Sequence, residues 1–326
     1  MTDPFDISLL GRTATVDADG VVAIGGVSLV ALAEEFGTPL FVYDESELRG
    51  RCREYHAAFG AGAAYASKAF LCTAMARVVD EERLGLDVAT GGELFVALNA
   101  GFPATRIVFH GNNKSDDELR AALEAGVGRI AVDSFDELDR IERLVASGCP
   151  QPSLHVRVTP GVEAHTHEFI ETGTDDSKFG FSLATGDALA AVRRVVASDA
   201  MQFAGIHCHI GSQVLRLDSF GRAVEKMVGL VRSIEEATGA LVEELNVGGG
   251  LGVRYLPEDD PPTIAAYHRT IDEAFSKALA DAGVRSRPAL MVEPGRSIAA
   301  PAALTLYRVG TVKTIDGVGT YVAVDG

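Results

Sequence analysis

Basic residues are scarce in this 326-residue chain: 29 Lys and Arg stand against 46 Asp and Glu, for a formal net charge of −17. A surface of that sign repels phosphate backbones and anionic lipid. It excludes nucleic acid and membrane surfaces as general partners, and an anionic ligand needs a local site that opposes the overall field. Cysteine is also sparse. Cys52, Cys72, Cys149 and Cys208 are scattered, with no CxxC pair to mark a metal ribbon or a redox motif. No long apolar run reads as a membrane span, and no signal-peptide pattern is visible. Low-complexity segments are missing as well. A soluble, cytoplasmic protein with reduced thiols is expected. Hydrophobic residues make up 47% of the chain, enough for a full core and too many for a disordered one.

What the chain does have is one repeated rhythm from residue 60 onward. A short apolar run ends in a polar or glycine-rich turn, an amphipathic stretch follows, and the next run begins. Eight runs read as strands: 63–67, 85–89, 106–110, 129–133, 153–158, 203–209, 244–247 and 289–293. Between them, "SDDELRAALEAG" carries Ser115 and Glu118 at capping-box spacing, with Gly126 placed as a C-cap. In "SFDELDRIERLVASG", Phe135, Leu138, Ile141 and Leu144 keep helical spacing. Eight β/α units in series predict a (β/α)8 barrel of the TIM type, over a doubly wound open sheet. The ends break the rhythm. Residues 1–37 and 301–326 hold short period-two runs and read as pieces of one antiparallel β domain flanking a barrel at 38–300.

A barrel of this kind carries its active site at the C-terminal ends of its strands. Lys68 ends the first run, "AAYAS", where it is either a solvated lysine or a pocket amine whose pKa is lowered by desolvation. At the other strand ends stand Asp87, His110, Asp133, Arg157, His207 with His209 and Ser212, Gly248 to Gly250, and Glu293 with Arg296. "NVGGGLG" and "EPGRS" follow the last two strands, the position of many barrel phosphate sites. "HCHIGS" points His207 and His209 to one face, either as metal ligands or, for one of them, as a flat ring stacked on a flat cofactor. An amine, glycine turns for a phosphate, an imidazole for a ring face and a carboxylate for a ring nitrogen together match the needs of pyridoxal 5′-phosphate.

"YASKA", "HGNNKS", "VRVTPGVEAHTHEFI", "DSKFGF", "HCHIGSQ", "NVGGGLG" and "EPGRSI" together resemble the diaminopimelate decarboxylases, pyridoxal-phosphate enzymes built on an alanine-racemase-like barrel, from about residue 38 onward. The resemblance implies that Lys68 bonds the cofactor aldehyde, His209 stacks on the pyridine ring, and Ser212, Gly249, Gly250, Gly295 and Arg296 hold the phosphate. Glu293 pairs with the pyridine nitrogen, Arg296 and Arg157 meet the substrate, and Asp87 and His207 give support. It further implies decarboxylation of meso-2,6-diaminopimelate to L-lysine and CO2, with no metal, in a homodimer with shared sites.

Members of that family are expected to run on past Gly326 into further substrate-binding elements, so the resemblance also implies a chain cut within its β domain. Three other readings are carried forward. One is a decarboxylase of ornithine, arginine or lysine. Another is a cofactor-binding relative without turnover. The third is a metal-dependent barrel hydrolase using His207 and His209.

Overall fold

The computed structural model describes residues 7–162 and 178–326; the "HTHEFI" segment, and most of the long loop around it, lie outside the described residues. The chain divides into two compact units, one of Met1–Arg51, Arg254–Asp259 and Ile298–Gly326, the other of Cys52–Val253 and Asp260–Ser297.

The larger unit is the expected barrel. Its strands are β1 (Ala64–Ala66), β2 (Gly85–Val88), β3 (Ile107–Phe109), β4 (Arg129–Val132), β5 (Ser153–Thr159), β6 (Gln202–Cys208), β7 (Glu244–Asn246) and β8 (Ala289–Met291). All pair in parallel in chain order. A parallel bridge from Ala63 to Val292 closes the ring, with Ala64 N donating to Val292 O at 2.9 Å and Val292 N to Gly62 O at 2.9 Å. Closure leaves no unpaired edge in this sheet. A two-residue strand, Phe181–Ser182, adds to β5 at residues 158–159.

Local chemistry sets the helices. Ser115 and Glu118 form the reciprocal capping box, and Gly126 ends that helix at φ 69°. Ser134 caps the helix Phe135–Ala146, which buries Leu138, Ile141 and Leu144. Phe135 departs from the expected stripe: in the first turn, at the rim, it stays half-exposed and meets the Phe181 ring edge-on at 4.9 Å. The apolar core lies between the outward strand faces, such as Ile206 and Cys208, and helices such as Asp218–Thr238, which buries Val224, Met227, Val231 and Ile234.

The barrel interior is not filled by branched apolar side chains alone. Arg129 on β4 forks onto Glu244 on β7 at 2.8 and 2.7 Å, and His155 on β5 meets Glu244 Oε2 at 2.6 Å. β4 and β7 are separated by two strands, so this triad spans the interior near the strands' starts. Burial would raise the Glu244 carboxyl, but the His155 and Arg129 hydrogen bonds and charges outweigh it and hold the pKa at about 2. Nearer the mouth, Lys114 is buried and spends its three protons on Gly111 O (2.7 Å), Ala131 O (2.8 Å) and Glu137 Oε1 (2.6 Å). Glu137 Oε2 also accepts from Asp133 N at 2.9 Å. The pair thus ties the turn after β3 to β4 and to the helix that follows it. A pair so fully hydrogen-bonded tolerates burial, whereas removing one partner costs about 3–5 kcal/mol.

In the smaller unit the β structure expected from both chain ends is present as three antiparallel sheets rather than one. Thr15–Val16, Val22–Ile24 and Val27–Ser28 form the first. Leu40–Tyr43 pairs with Ala303–Leu306, and Val309–Ile315 with Gly319–Val324.

The Glu244 triad gives a pH prediction. A carboxyl lowered from 4.5 to about 2 on folding adds stability that is full above pH 4.5 and is lost as pH falls towards 2. Glu244→Gln is expected to destabilise the protein by about 2 kcal/mol at neutral pH. It should also flatten the fall of the melting temperature across that window. Parallel wild-type and variant curves below pH 4.5 would contradict the account.

Candidate active site

The C-terminal ends of the eight strands gather nearly every residue picked out from the sequence. Lys68 lies just past β1, half-exposed at the mouth, with Nζ 2.7 Å from Asp87 Oδ2 at the end of β2. Of the two readings of this lysine, the lowered pKa does not hold. Crowding by protein does favour the neutral amine, but the charges of Asp87 and Glu293 outweigh it and raise the Lys68 pKa above its ordinary value. Lys68 is therefore an ammonium held in place by Asp87.

Glu293 lies just past β8 and is almost fully buried. His110 Nε2 meets its Oε1 at 2.7 Å, Asn246 Nδ2 donates to the same oxygen at 2.7 Å, and His207 Nε2 lies 3.1 Å from Oε2. Burial by itself would raise the carboxyl, yet His110 and His207 hold it well below the usual range. Glu293 is thus a buried anion, and its partners are these three side chains. Nearby, Arg296 Nε donates to Ser212 Oγ at 3.0 Å. Burial pushes the His207 pKa down to about 3, so this ring is neutral at physiological pH.

His209 is likewise neutral. Burial, then the nearby cations Lys68 and Arg157, hold its pKa well below the ordinary value. Gly249 N donates to its Nδ1 at 3.3 Å, which leaves the ring proton on Nε2. Residues 248–250 wrap around this imidazole. Gly248 has φ 70°, and a Cβ there would press on the Cys208 carbonyl and the His209 ring. A Cβ on Gly249 would run into the Glu293 carbonyl oxygen, and one on Gly250 into that of Gly211. Gly295 is less confined, a Cβ there lying 3.0–3.1 Å from Ala66. Only bare backbone fits here, and bare backbone N–H groups are what a phosphate needs.

Arg157, expected at the substrate, lies 3.5 Å from Asp133 Oδ1 and stacks its guanidinium 4.4 Å over the Phe179 ring. Asp133 Oδ2 also accepts from Gly180 N at 3.0 Å, and Thr159 Oγ donates to Phe179 O. Lys226 donates to Pro160 O and Gly161 O at 2.8 and 2.6 Å. Both ends of the β5–β6 loop are thereby anchored.

Two residues of the mouth were given no role from sequence. His110 stands at a strand end and opens "HGNNKS", yet nothing there names its partner. Asn246 opens "NVGGGLG", where the glycines drew the attention, and it shares the inward-pointing face of its strand with Glu244. The hydrolase reading fares poorly, since His207 and His209 serve different partners. His110, His207 and Glu293 do lie within 4.8 Å of one another, but their hydrogen bonds to each other account for that closeness.

A family model described as "Pyridoxal-dependent decarboxylase, pyridoxal binding domain" matches residues 45–300. Diaminopimelate decarboxylase of Mycobacterium tuberculosis is 51% identical over 325 residues, covering 97% of this chain and 72% of that protein. The chain belongs to the diaminopimelate decarboxylase family. That of Bacillus subtilis is 44% identical over 97% of this chain and 73% of its own. Among solved structures, the family member from M. jannaschii in complex with L-lysine superposes with a TM-score of 0.88 at 32% identity, covering 97% of this chain and 73% of that one. The lysine/ornithine decarboxylase of Vibrio vulnificus, at 22% identity and a TM-score of 0.75, shares the fold.

The cofactor of this pyridoxal-dependent decarboxylase family fits the residues present: an amine at Lys68, a side-chain-free cradle at Gly248–Gly250 and Gly295, and a buried anion at Glu293. Gly249→Ala is expected to lower pyridoxal phosphate affinity at least tenfold, as a pushed-back turn loses a charge-assisted hydrogen bond. Equilibrium titration of the visible absorbance measures it. Affinity equal to wild type would remove the turn from the cradle.

Proposed function

We propose that the chain binds pyridoxal phosphate through Lys68 and decarboxylates meso-diaminopimelate to L-lysine and CO2. The observation that carries the chemistry is the pairing, at one barrel mouth, of the Lys68 amine with the buried anionic Glu293. The substrate rests on the 43–51% identity to relatives named diaminopimelate decarboxylases and on the L-lysine complex of the M. jannaschii enzyme.

The cofactor, when bound, supplies an aldehyde for amine capture and a ring that takes up the electron pair left as CO2 departs. The rest falls to the chain. Asp87 keeps Lys68 charged while no aldehyde is present, and at 2.7 Å it is the nearest group to which Nζ can hand its proton. Glu293 would pair with the ring nitrogen and favour its protonated form, which would deepen the electron sink. Neutral His209, its ring held by Gly249, would offer a flat face to the cofactor ring without adding a repelling charge. Ser212, Gly249, Gly250, Gly295 and Arg296 meet the phosphate. Arg296 Nε is already aligned on Ser212 Oγ. Arg296 and Arg157 would offer cations to substrate carboxylates, and Lys68, as an ammonium beside Asp87, would be the proton donor for the carbon that loses CO2.

Residues 38–300 act as the cofactor domain, flanked by β-domain segments 1–37 and 301–326. A homodimer and a cytoplasmic setting complete the reading on the strength of the family resemblance. The four cysteines, all free, fit a reducing compartment, and among the described residues no helix is long and apolar enough to cross a membrane.

Borohydride treatment with pyridoxal phosphate is expected to fix the label on Lys68, read by peptide mass, and Lys68→Ala should lose it together with CO2 release from meso-diaminopimelate. A label on another lysine, or none, would overturn the assignment. Glu293→Gln should cut turnover by at least a hundredfold, consistent with loss of charge stabilisation in a buried site, while retaining cofactor. Equal loss of both would remove the ring-nitrogen role.

A further inference from the structure

Resting on the Glu293 role just proposed, the geometry points to His110, His207 and Asn246 as positioning residues that keep Glu293 ionised and leave one acceptor position, on Oε2, for a protonated ring nitrogen. A carboxylate has about four lone-pair positions. Two on Oε1 are taken by His110 Nε2 and Asn246 Nδ2, and one on Oε2 by His207 Nε2. The fourth is therefore on Oε2.

Each donor is fixed in its role by a second contact or by the want of one. Asn246 cannot turn its amide round, because its Oδ1 already accepts from Gly248 N at 2.9 Å. His207 Nδ1 is buried with no hydrogen-bond partner among the described residues. Its single proton is therefore on Nε2, facing the carboxylate. His110 donates through the nitrogen that also lies 4.0 Å from Asp87 Oδ1, so the Lys68–Asp87 pair borders the cage. The other charged or titratable groups facing this space are Lys68 and Arg157, both cationic, and neutral His209. Asp87 is a second carboxylate bordering the cage.

The three donors come from the ends of three strands, β3, β6 and β7, and the carboxylate from a fourth, β8. The barrel's closure is what brings them to one point. Their physical effect is on where a shared proton sits. A buried carboxyl with no donors is driven to its neutral form. Set against a pyridine nitrogen, it would take the proton and leave the ring a weaker electron sink. Three N–H donors make the carboxylate the favoured form, so the proton stays on the ring. A residue that only filled the barrel would have no such effect.

The test uses holoenzyme reconstituted with pyridoxal phosphate labelled with nitrogen-15 at the ring position, read by NMR. In wild type the resonance is expected at the protonated position. In His110→Phe, and more fully in the His110→Phe/His207→Phe pair, it should move towards the deprotonated position, with turnover down about tenfold or more per donor removed. Borohydride labelling at Lys68 should stay stoichiometric. His110→Asn, which keeps an N–H donor, should hold the protonated signal. If the double variant does not fold, the His110→Phe and His110→Asn spectra decide. A protonated ring in His110→Phe overturns the inference. Glu293→Gln separates the two levels: a deprotonated ring there with a protonated ring in the cage variants sinks the cage alone. A protonated ring in Glu293→Gln sinks the Glu293 role beneath it.

Discussion

A charge enclosed by a parallel barrel has to find its partners across the barrel, and much of this molecule is arranged around that requirement. Glu293 meets it with donors from β3, β6 and β7; Glu244 meets it with Arg129 and His155 at the opposite end. None of these contacts is local in sequence, and several join strands that are not neighbours in the sheet. They exist only when the ring is closed between Ala63 and Val292. Removing one member leaves its partner buried and unpaired, which is the costly direction. The polar interior therefore discriminates against slipped or open versions of the same sheet.

The same arrangement divides the labour at the mouth. Asp87 and Glu293 are both acidic, but they face different tasks. Asp87 takes the Lys68 ammonium directly, whereas Glu293 is wrapped in N–H donors from His110, His207 and Asn246. Both charges act on Lys68, but of the two only Asp87 is hydrogen-bonded to it. His209 and His207, two residues apart on one strand face, are likewise separated in use. One lies against the glycine turn and the other against the carboxylate.

Much of this was legible in the residues. The eight strands fall within two residues of their observed positions, because short β-branched runs between capped amphipathic helices have few other solutions. The Ser115–Glu118 box and Gly126 work locally and were readable locally. Lys68, His209, Ser212, the glycines, Glu293 and Arg296 were found because strand ends in a barrel converge. What sequence could not supply was pairing across the ring. That His110 and Asn246 reach Glu293, that Asp87 holds the lysine as an ammonium, and that Arg129, His155 and Glu244 meet inside the barrel all depend on residues separated by between 19 and 183 positions. The chain-end strands were read as pieces of one antiparallel β domain without their pairings, because period-two patterns mark strands without naming their partners; three separate antiparallel sheets form there.

Gly249 has no side chain to contribute, yet its backbone lies so close to the Glu293 carbonyl that the two strand ends fit together as key and slot. In a library of random substitutions this position should prove as intolerant as the reactive lysine itself. The invariance would record clearance rather than reactivity, and a descendant that had abandoned the original chemistry would still have to keep it.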